Sequence, residues 1–375
     1  MAWLTSEEAL ILLGTKPQTL YANVSRGRIA ARPDPSDPRR SQYRKSDVEH
    51  LAARQRGRRP ATTVAREAIA WGEPILTTSI STVFEGQLYY RGKNAAALSA
   101  SETLESVAQL LWDCPDPLSV SPGGSGLTGM SEVYAQIAAL AAAQMPTPGR
   151  SRAILLREAG QVLSTLANAF TGGTAGLLHA RLATAWNRPE ASDAIRRALV
   201  LLAEHELNAS TFAARIAAST GAPLAAAVMA GLATLSGPLH GSAAMSLLPL
   251  VAEAERIGVE PAIAAALRSG HPLPAFGHNL YDGDVRARVL MDAFEVPKLY
   301  RDIAETGEGL SGEKPNIDFA LSAMTAAFDL PADAPLQLFA LARSVGWLAH
   351  ALEQIEKGAL IRPRARYVGE APASP

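Results

Sequence analysis

The sequence predicts a mainly α-helical protein, a large helical body preceded by a small winged helix-turn-helix module, and three observations carry that prediction. Hydrophobic residues make up 48% of the 375 and aromatics only 6%. A large core must therefore be assembled from Ala, Leu and Val, and Ala favours packed helices over sheets. Capping boxes open three helices within the first fifty residues, each pairing a hydroxyl with an acid or amide three positions later. Charge is unevenly spread as well. The net charge of −1 divides into about +7 through Arg66 (about 13 Lys+Arg against 6 Asp+Glu) and about −8 over the remainder. A basic head on an acidic body implies two modules with different partners.

Taken in order, Thr5–Glu8, Thr15–Gln18 and Ser46–Glu49 are the capping boxes, and Pro17 adds the preference for proline in a first helical turn. Ala9, Leu10, Leu12 and Leu13 supply the apolar positions of the first helix, which Gly14 closes. Leu20, Tyr21 and Val24 supply those of the second. The Pro-, Asp-, Ser- and Arg-rich stretch between Ile29 and Tyr43 reads as a turn or β-wing. Residues 1–55 thus form the head, and 56–70 a solvated linker. The body occupies 71–370, with a small subdomain at about 206–320. Within it, Thr77–Phe84 and Gln87–Tyr90 read as short strands around a Glu85–Gly86 turn. Alanine-rich runs at 131–145, 151–170, 193–207 and 222–235, with 286–305 and 334–356, read as helices. The Pro/Gly/Ser segment 115–126 is the clearest loop, and GGTAG at 172–176 reads as a helix connection.

Composition narrows the function. A chain of this length carries enough apolar material for a core without staples. The single Cys114 excludes an intramolecular disulfide and a Cys-rich metal site, which fits a reducing compartment. MAWLTSEEAL lacks the basic-then-apolar layout of a signal peptide, and no run is apolar and long enough to span a bilayer. The expectation is a cytoplasmic protein that needs no metal or cofactor.

Three histidines have unusual neighbours: His205 in HELNASTFAAR, His240 in LSGPLHG and His278 in PAFGHNLYDGD. With them go Asp318 in KPNIDFA, Arg286 in DVRAR, Arg343 in ALARSVGW and Arg362 in LIRPRARY. A neutral imidazole can give or take a proton near neutral pH, and a guanidinium can grip a carboxylate through two parallel hydrogen bonds. Such a set suits carbon–carbon bond formation on an anionic oxo acid. Each signal alone is weak, because a histidine beside a glycine is more often structural.

The order of FEGQLYYRG, LLAEHELNASTFAARIAASTGA, LSGPLHG, FGHNLYDGDVRA, KPNIDFALSAM and LFALARSVGWLAHALEQIEKGALIRPRARYVG resembles the citrate synthase family over roughly Glu73–Gly369. The resemblance implies a helical fold with a large and a small domain, working as a homodimer. It implies condensation of acetyl-CoA with oxaloacetate, with Asp318 as the base, His240 as the donor to the enol(ate) and His278 as the group that protonates the oxo carbonyl. His205, Arg286, Arg343 and Arg362 match positions that hold the oxo acid, Arg362 reaching across from a partner subunit. Lys314 is a candidate for CoA. Asn279 and Asp282 stand where the family usually carries basic residues, and an acid near CoA phosphates repels them. Ser242 stands where the family more often has glycine. Two other readings share the motifs. One is a 2-methylcitrate synthase using propionyl-CoA, since one methylene in a pocket is worth only about 1–3 kcal/mol. The other is a DNA-binding regulator whose body senses a ligand.

The head, through LTSEEALILLG, KPQTLYANVSRGRI and SQYRKSDVEHL, resembles excisionase or MerR-like modules. That resemblance implies duplex DNA as a partner. Gln18, Tyr21, Asn23 and Arg26 would face the major groove, and Arg39, Arg40, Arg44 and Lys45 the phosphates.

Overall fold

The computed structural model describes residues 3–13, 19–20, 23–24, 29–34, 37, 41–48, 76–124, 128–238, 240–241, 243–278, 280–365 and 369. The chain divides into two compact units, Met1–Thr77 and Thr78–Pro375.

In the first unit, β1 (Trp3–Leu4) leads into α1 (Ser6–Leu13), followed by β2 (Ala31–Pro33) and β3 (Ser41–Arg44). The capping box at Thr5 forms: Thr5 N donates to Glu8 Oε2 at 2.8 Å, and Glu8 N to Thr5 Oγ1 at 3.3 Å. β3 is the central strand of an antiparallel sheet, pairing Trp3 with Arg44 and Ala31 with Tyr43. Ala9, Leu13, Leu20, Ile29, Tyr43 and Val48 close a small core beneath it. Ser46 does not begin a helix, because residues 45–48 are already helical. Asn23 does not face outward. It is buried, and its amide donates to Thr19 O at 2.8 Å within its own turn. Arg44 lies beside Asp47 at 3.3 Å. Gln18, Tyr21, Arg26, Arg39 and Arg40, the second capping box and the 56–70 linker lie outside the described residues.

The second unit opens with the hairpin β4 (Ser81–Phe84) and β5 (Gln87–Tyr90), with β6 (Lys93–Asn94) added antiparallel. Glu85 and Gly86 both have positive φ, 49° and 71°, the twist that a two-residue hairpin turn needs. Helices follow: α2 (Ala95–Ser101), α3 (Leu104–Trp112), α4 (Met130–Ala143), α5 (Arg152–Thr171), α6 (Leu178–Ala185), α7 (Ser192–Leu202), α8 (Ala209–Ser219) and α9 (Leu224–Leu235). Next come α10 (Leu248–Ile257), α11 (Val259–Arg268), α12 (Val285–Met291), α13 (Lys298–Ser311), α14 (Ile317–Ala327) and α15 (Ala334–Lys357). The run expected as one helix over 286–305 is two, α12 and α13, because Pro297 cannot continue the helical hydrogen bonding and instead starts the second. The run expected to reach residue 207 stops at Leu202, and Glu206 takes a positive φ of 51° in the turn that follows.

α15 is the axis of the main core. From Ala334 to Gln354 nearly every side chain is buried, including Leu338, Leu341, Leu348 and Leu352. Each such leucine contributes roughly 2 kcal/mol of burial. Small residues let neighbours come close. A Cβ on Gly231 of α9 would lie 2.6 Å from the Trp347 indole, and one on Gly346 would lie 2.1 Å from Glu204 Oε2. A second core gathers Leu247, Leu250, Ile263, Phe276, Tyr300, Ile303, Phe319 and Ala323. α14 serves both, giving Ile317, Ala320, Leu321 and Met324 to the first core and Phe319 and Ala323 to the second.

Candidate active site

Local devices fix each histidine before any ligand is considered. His205 lies in the turn after α7, and the β4 strand straps that turn down. Ser81 Oγ donates to Glu204 Oε1 at 3.2 Å, Glu206 N donates to Ser81 Oγ at 3.1 Å, and Val83 N donates to Glu206 Oε1 at 2.8 Å. His278 lies on a segment paired antiparallel with 314–316. Gly277 N donates to Lys314 O at 2.8 Å and Asn316 N to Ala275 O at 3.0 Å. This pairing lays the His278 segment beside the N-terminus of α14, where Asp318 sits. His240 follows the end of α9, and its Nε2 lies 2.8 Å from Ser210 Oγ, which also accepts from Trp347 Nε1 at 3.2 Å.

These devices bring the residues together. The His205 and His278 rings meet edge-on at 5.2 Å, and Tyr281 completes the group, its ring 4.6 Å from that of His278. Tyr281 Oη and His205 Nε2 are 2.7 Å apart. Arg286 Cζ stands 5.8 Å from the Tyr281 ring centre. Its Nε and Nη2 donate to the two oxygens of Asp284 at 2.9 and 2.8 Å, a buried two-point pair. Arg343 is buried over Phe339 and donates from Nε to Leu202 O at 2.9 Å. Its Nη2 is shut off from solvent without a hydrogen-bond partner among the described residues. Asp318 Oδ1 is in the same condition.

Burial and neighbouring guanidinium groups keep the imidazoles neutral. Burial, reinforced by Arg343, lowers His240 to about 4. Burial and Arg286 lower His278 to about 4 as well. His205 is held well below its usual value, first by burial and then by Arg286, Arg343 and the other two histidines. Leu280 N donates to His278 Nδ1 at 3.1 Å, so the neutral ring carries its proton on Nε2. Asp318 moves the other way. Burial raises it to about 6, against the pull of Arg286 and a hydrogen bond from the Ala244 backbone. The arrangement offers a carboxylate poised near neutrality, neutral N–H donors and two buried guanidinium groups able to hold an anion.

Arg286 and Arg343 thus act electrostatically on both His205 and Asp318, and His240 and His278 act on His205. Arg362 is not brought to them within one chain. It is exposed on the stretch beyond α15, where Ile361 N is tied to Ser219 Oγ at 3.1 Å. Lys314 is exposed and packs over Gly283 at the edge of the group. Asn279 and Ser242 lie outside the described residues, and Asp282 is exposed. Among the described residues no group of three or more His, Cys, Asp or Glu is placed to hold a metal ion, and no helix is long and apolar enough to cross a membrane. Sequence reading missed Tyr281, Asp284 and Ser210. The hints lay in the first two being part of the same FGHNLYDGDVRA stretch as His278 and Arg286, and in Ser210 following His205 within HELNASTFAAR.

A family model described as citrate synthase, C-terminal domain, matches residues 125–364. The chain belongs to the citrate synthase family. It is similar to a citrate synthase of Haloferax volcanii, 38% identical over 186 residues, which covers 46% of this chain and 49% of the relative. It is also similar to 2-methylcitrate synthase 1 of Corynebacterium glutamicum, 36% identical over 189 residues, covering 46% and 49%. The chain spans about half the length of the curated relatives it matches. In three dimensions it is similar to the citrate synthase of Thermotoga maritima, with a TM-score of 0.63, 26% identity, and coverage of 81% of this chain and 96% of the other.

Proposed function

We propose that the chain is a citrate synthase-type acyltransferase that condenses a CoA thioester, acetyl-CoA in the first instance, with oxaloacetate. The observation that carries this reading is Asp318, a carboxylate at a helix start whose buried Oδ1 has no hydrogen-bond partner among the described residues, raised to about 6 by burial against the charges of Arg286 and Arg343. The α-proton of a thioester is a very weak acid, so a carboxylate removes it only if the developing oxyanion is met by a fixed donor. Such a donor is worth about 3 kcal/mol of barrier. Asp318 takes the proton, and His240 holds the enol(ate) oxygen. The α-carbon then attacks the oxo carbonyl carbon, whose oxygen receives the Nε2 proton of His278. Water cleaves the thioester and releases CoA. Arg286, Arg343 and His205 hold the carboxylates of the oxo acid. Two buried guanidinium groups and a histidine suit a dianion better than a monocarboxylate.

No cofactor is needed for these steps. A propionyl thioester, giving 2-methylcitrate, is the second acyl reading, supported by the similarity to a 2-methylcitrate synthase. Arg362 enters the site from a partner subunit in this reading, which its exposed position in one chain supports. Lys314 meets the CoA moiety. The basic head binds duplex DNA, a reading supported by its charge and by its similarity in sequence to MerR-like modules. If the body only sensed its ligands, no thiol would be released. A thiol-release assay with oxaloacetate and either acetyl- or propionyl-CoA tests the chemistry. Release with one of them supports the proposal, and absence of release with both, at saturating oxo acid, overturns it. Sedimentation tests the dimer, and salt-dependent retention of the full chain on duplex DNA tests the head.

A further inference from the structure

Tyr281 has no part in the steps above, yet it touches three of the groups that perform them. It is buried, its hydroxyl lies 2.7 Å from His205 Nε2, its ring centre lies 4.6 Å from that of His278, and the Arg286 guanidinium stands 5.8 Å from the same ring. The bond to Tyr281 is the hydrogen bond of the His205 imidazole among the described residues. Anything else that claims Nε2 must displace the phenol.

That exchange treats ligands differently. A carboxylate that reaches Nε2 replaces a neutral hydrogen bond with a charge-assisted one, roughly twice as strong, and gains on balance. A monocarboxylic oxo acid engages Arg286 and Arg343 through its single carboxylate and has nothing to offer His205. The phenol then stays where it is. Because the Tyr281 ring lies against His278, its displacement also changes the setting of the imidazole that gives the oxo carbonyl its proton. Because the phenol competes with the carboxylate for Nε2, specificity gained this way is expressed in turnover and not in binding.

Building on the reading above, we propose that Tyr281 is a specificity-determining residue: its hydroxyl holds the His205 nitrogen that a second carboxylate must claim, and its ring passes that exchange on to His278. Tyr281→Phe keeps the ring and removes the bond. The kinetic arm compares oxaloacetate with pyruvate as acceptors of the same thioester. In the variant the preference for oxaloacetate falls about tenfold, mainly through kcat, while the KM of the thioester is unchanged. A spectroscopic arm needs no turnover. With histidines labelled with 15N and assigned by single substitutions, adding succinate, which carries two carboxylates but no oxo carbonyl to meet His278 directly, moves the ring signals of both His205 and His278 in the wild type. In Tyr281→Phe it moves those of His205 alone. An unchanged preference, or a His278 response that persists in the variant, overturns the proposal. If the wild-type protein turns over neither acceptor, the acyltransferase reading falls, and the spectra still decide whether Tyr281 links the two histidines.

Discussion

Two helix starts a short distance apart in space carry aspartates with opposite fates. At α12, Asp284 is the cap. It accepts from Arg286 N at 3.1 Å, takes two bonds from the Arg286 side chain, and accepts from Ile317 N at 3.0 Å. Burial pushes its carboxyl upward, yet the guanidinium beside it prevails and holds it below the ordinary value. At α14 the capping is done by Asn316, whose Oδ1 accepts from Asp318 N at 3.0 Å. Asp318 is thereby released from capping, and burial raises it to about 6. One carboxylate is spent on structure and the other is kept for a ligand. The amide of Asn316 makes the difference, by filling a cap that an aspartate would otherwise fill. Two identical side chains thus acquire a fixed charge and a titrating base from their surroundings alone.

Substitutions probe this contrast at four strengths. Asp318→Asn should lower turnover by about 10³-fold while calorimetry still detects oxaloacetate binding; near-wild-type rates would remove Asp318 from the role of base. Asp284→Asn leaves the Arg286 charge buried and unmatched, and should cost about 3 kcal/mol in urea unfolding. A cost near zero would mean that Arg286 finds another partner. The third test concerns pH. The folded-state value of Asp318 lies above its ordinary value of 3.8, so its ionisation destabilises the fold progressively between about 4 and 6 and fully above that. Asp318→Asn should therefore be more stable than wild type at pH 8, by about 3 kcal/mol, and indistinguishable from it near pH 4. An equal difference at both pH values would contradict the assigned shift. The smallest effect is expected outside the buried pair of aspartates, at exposed Asp282. Asp282→Lys should lower the KM of the CoA thioester about threefold, an effect that fades as salt is added.

Local chemistry was legible in the sequence wherever neighbours along the chain decide the outcome. The Glu85–Gly86 turn and the Thr5 capping box are of this kind, and so is the α-helical character of the body. Most of the residues that the fold gathers around Arg286 and Arg343 also stood out in the sequence, because short motifs carry them. The partners that tune them did not. Tyr281 meets His205 across 76 positions and Ser210 meets His240 across 30, and no spacing rule links such pairs. Asp284 was hidden for another reason. A buried aspartate two residues before an arginine has the same sequence as a surface one. The ends of helices were also misjudged where strain outweighed propensity, as at Glu206, whose backbone turns left-handed so that its side chain can reach Val83 N.

α14 belongs to both apolar cores of the second unit. Stripping either core away would expose side chains that the same helix gives to the other. The two cores therefore cannot melt in separate steps without leaving a half-bare helix in water, and heat should dissolve them in a single cooperative transition. The helix that carries the proposed base thus also joins the two cores into one melting unit.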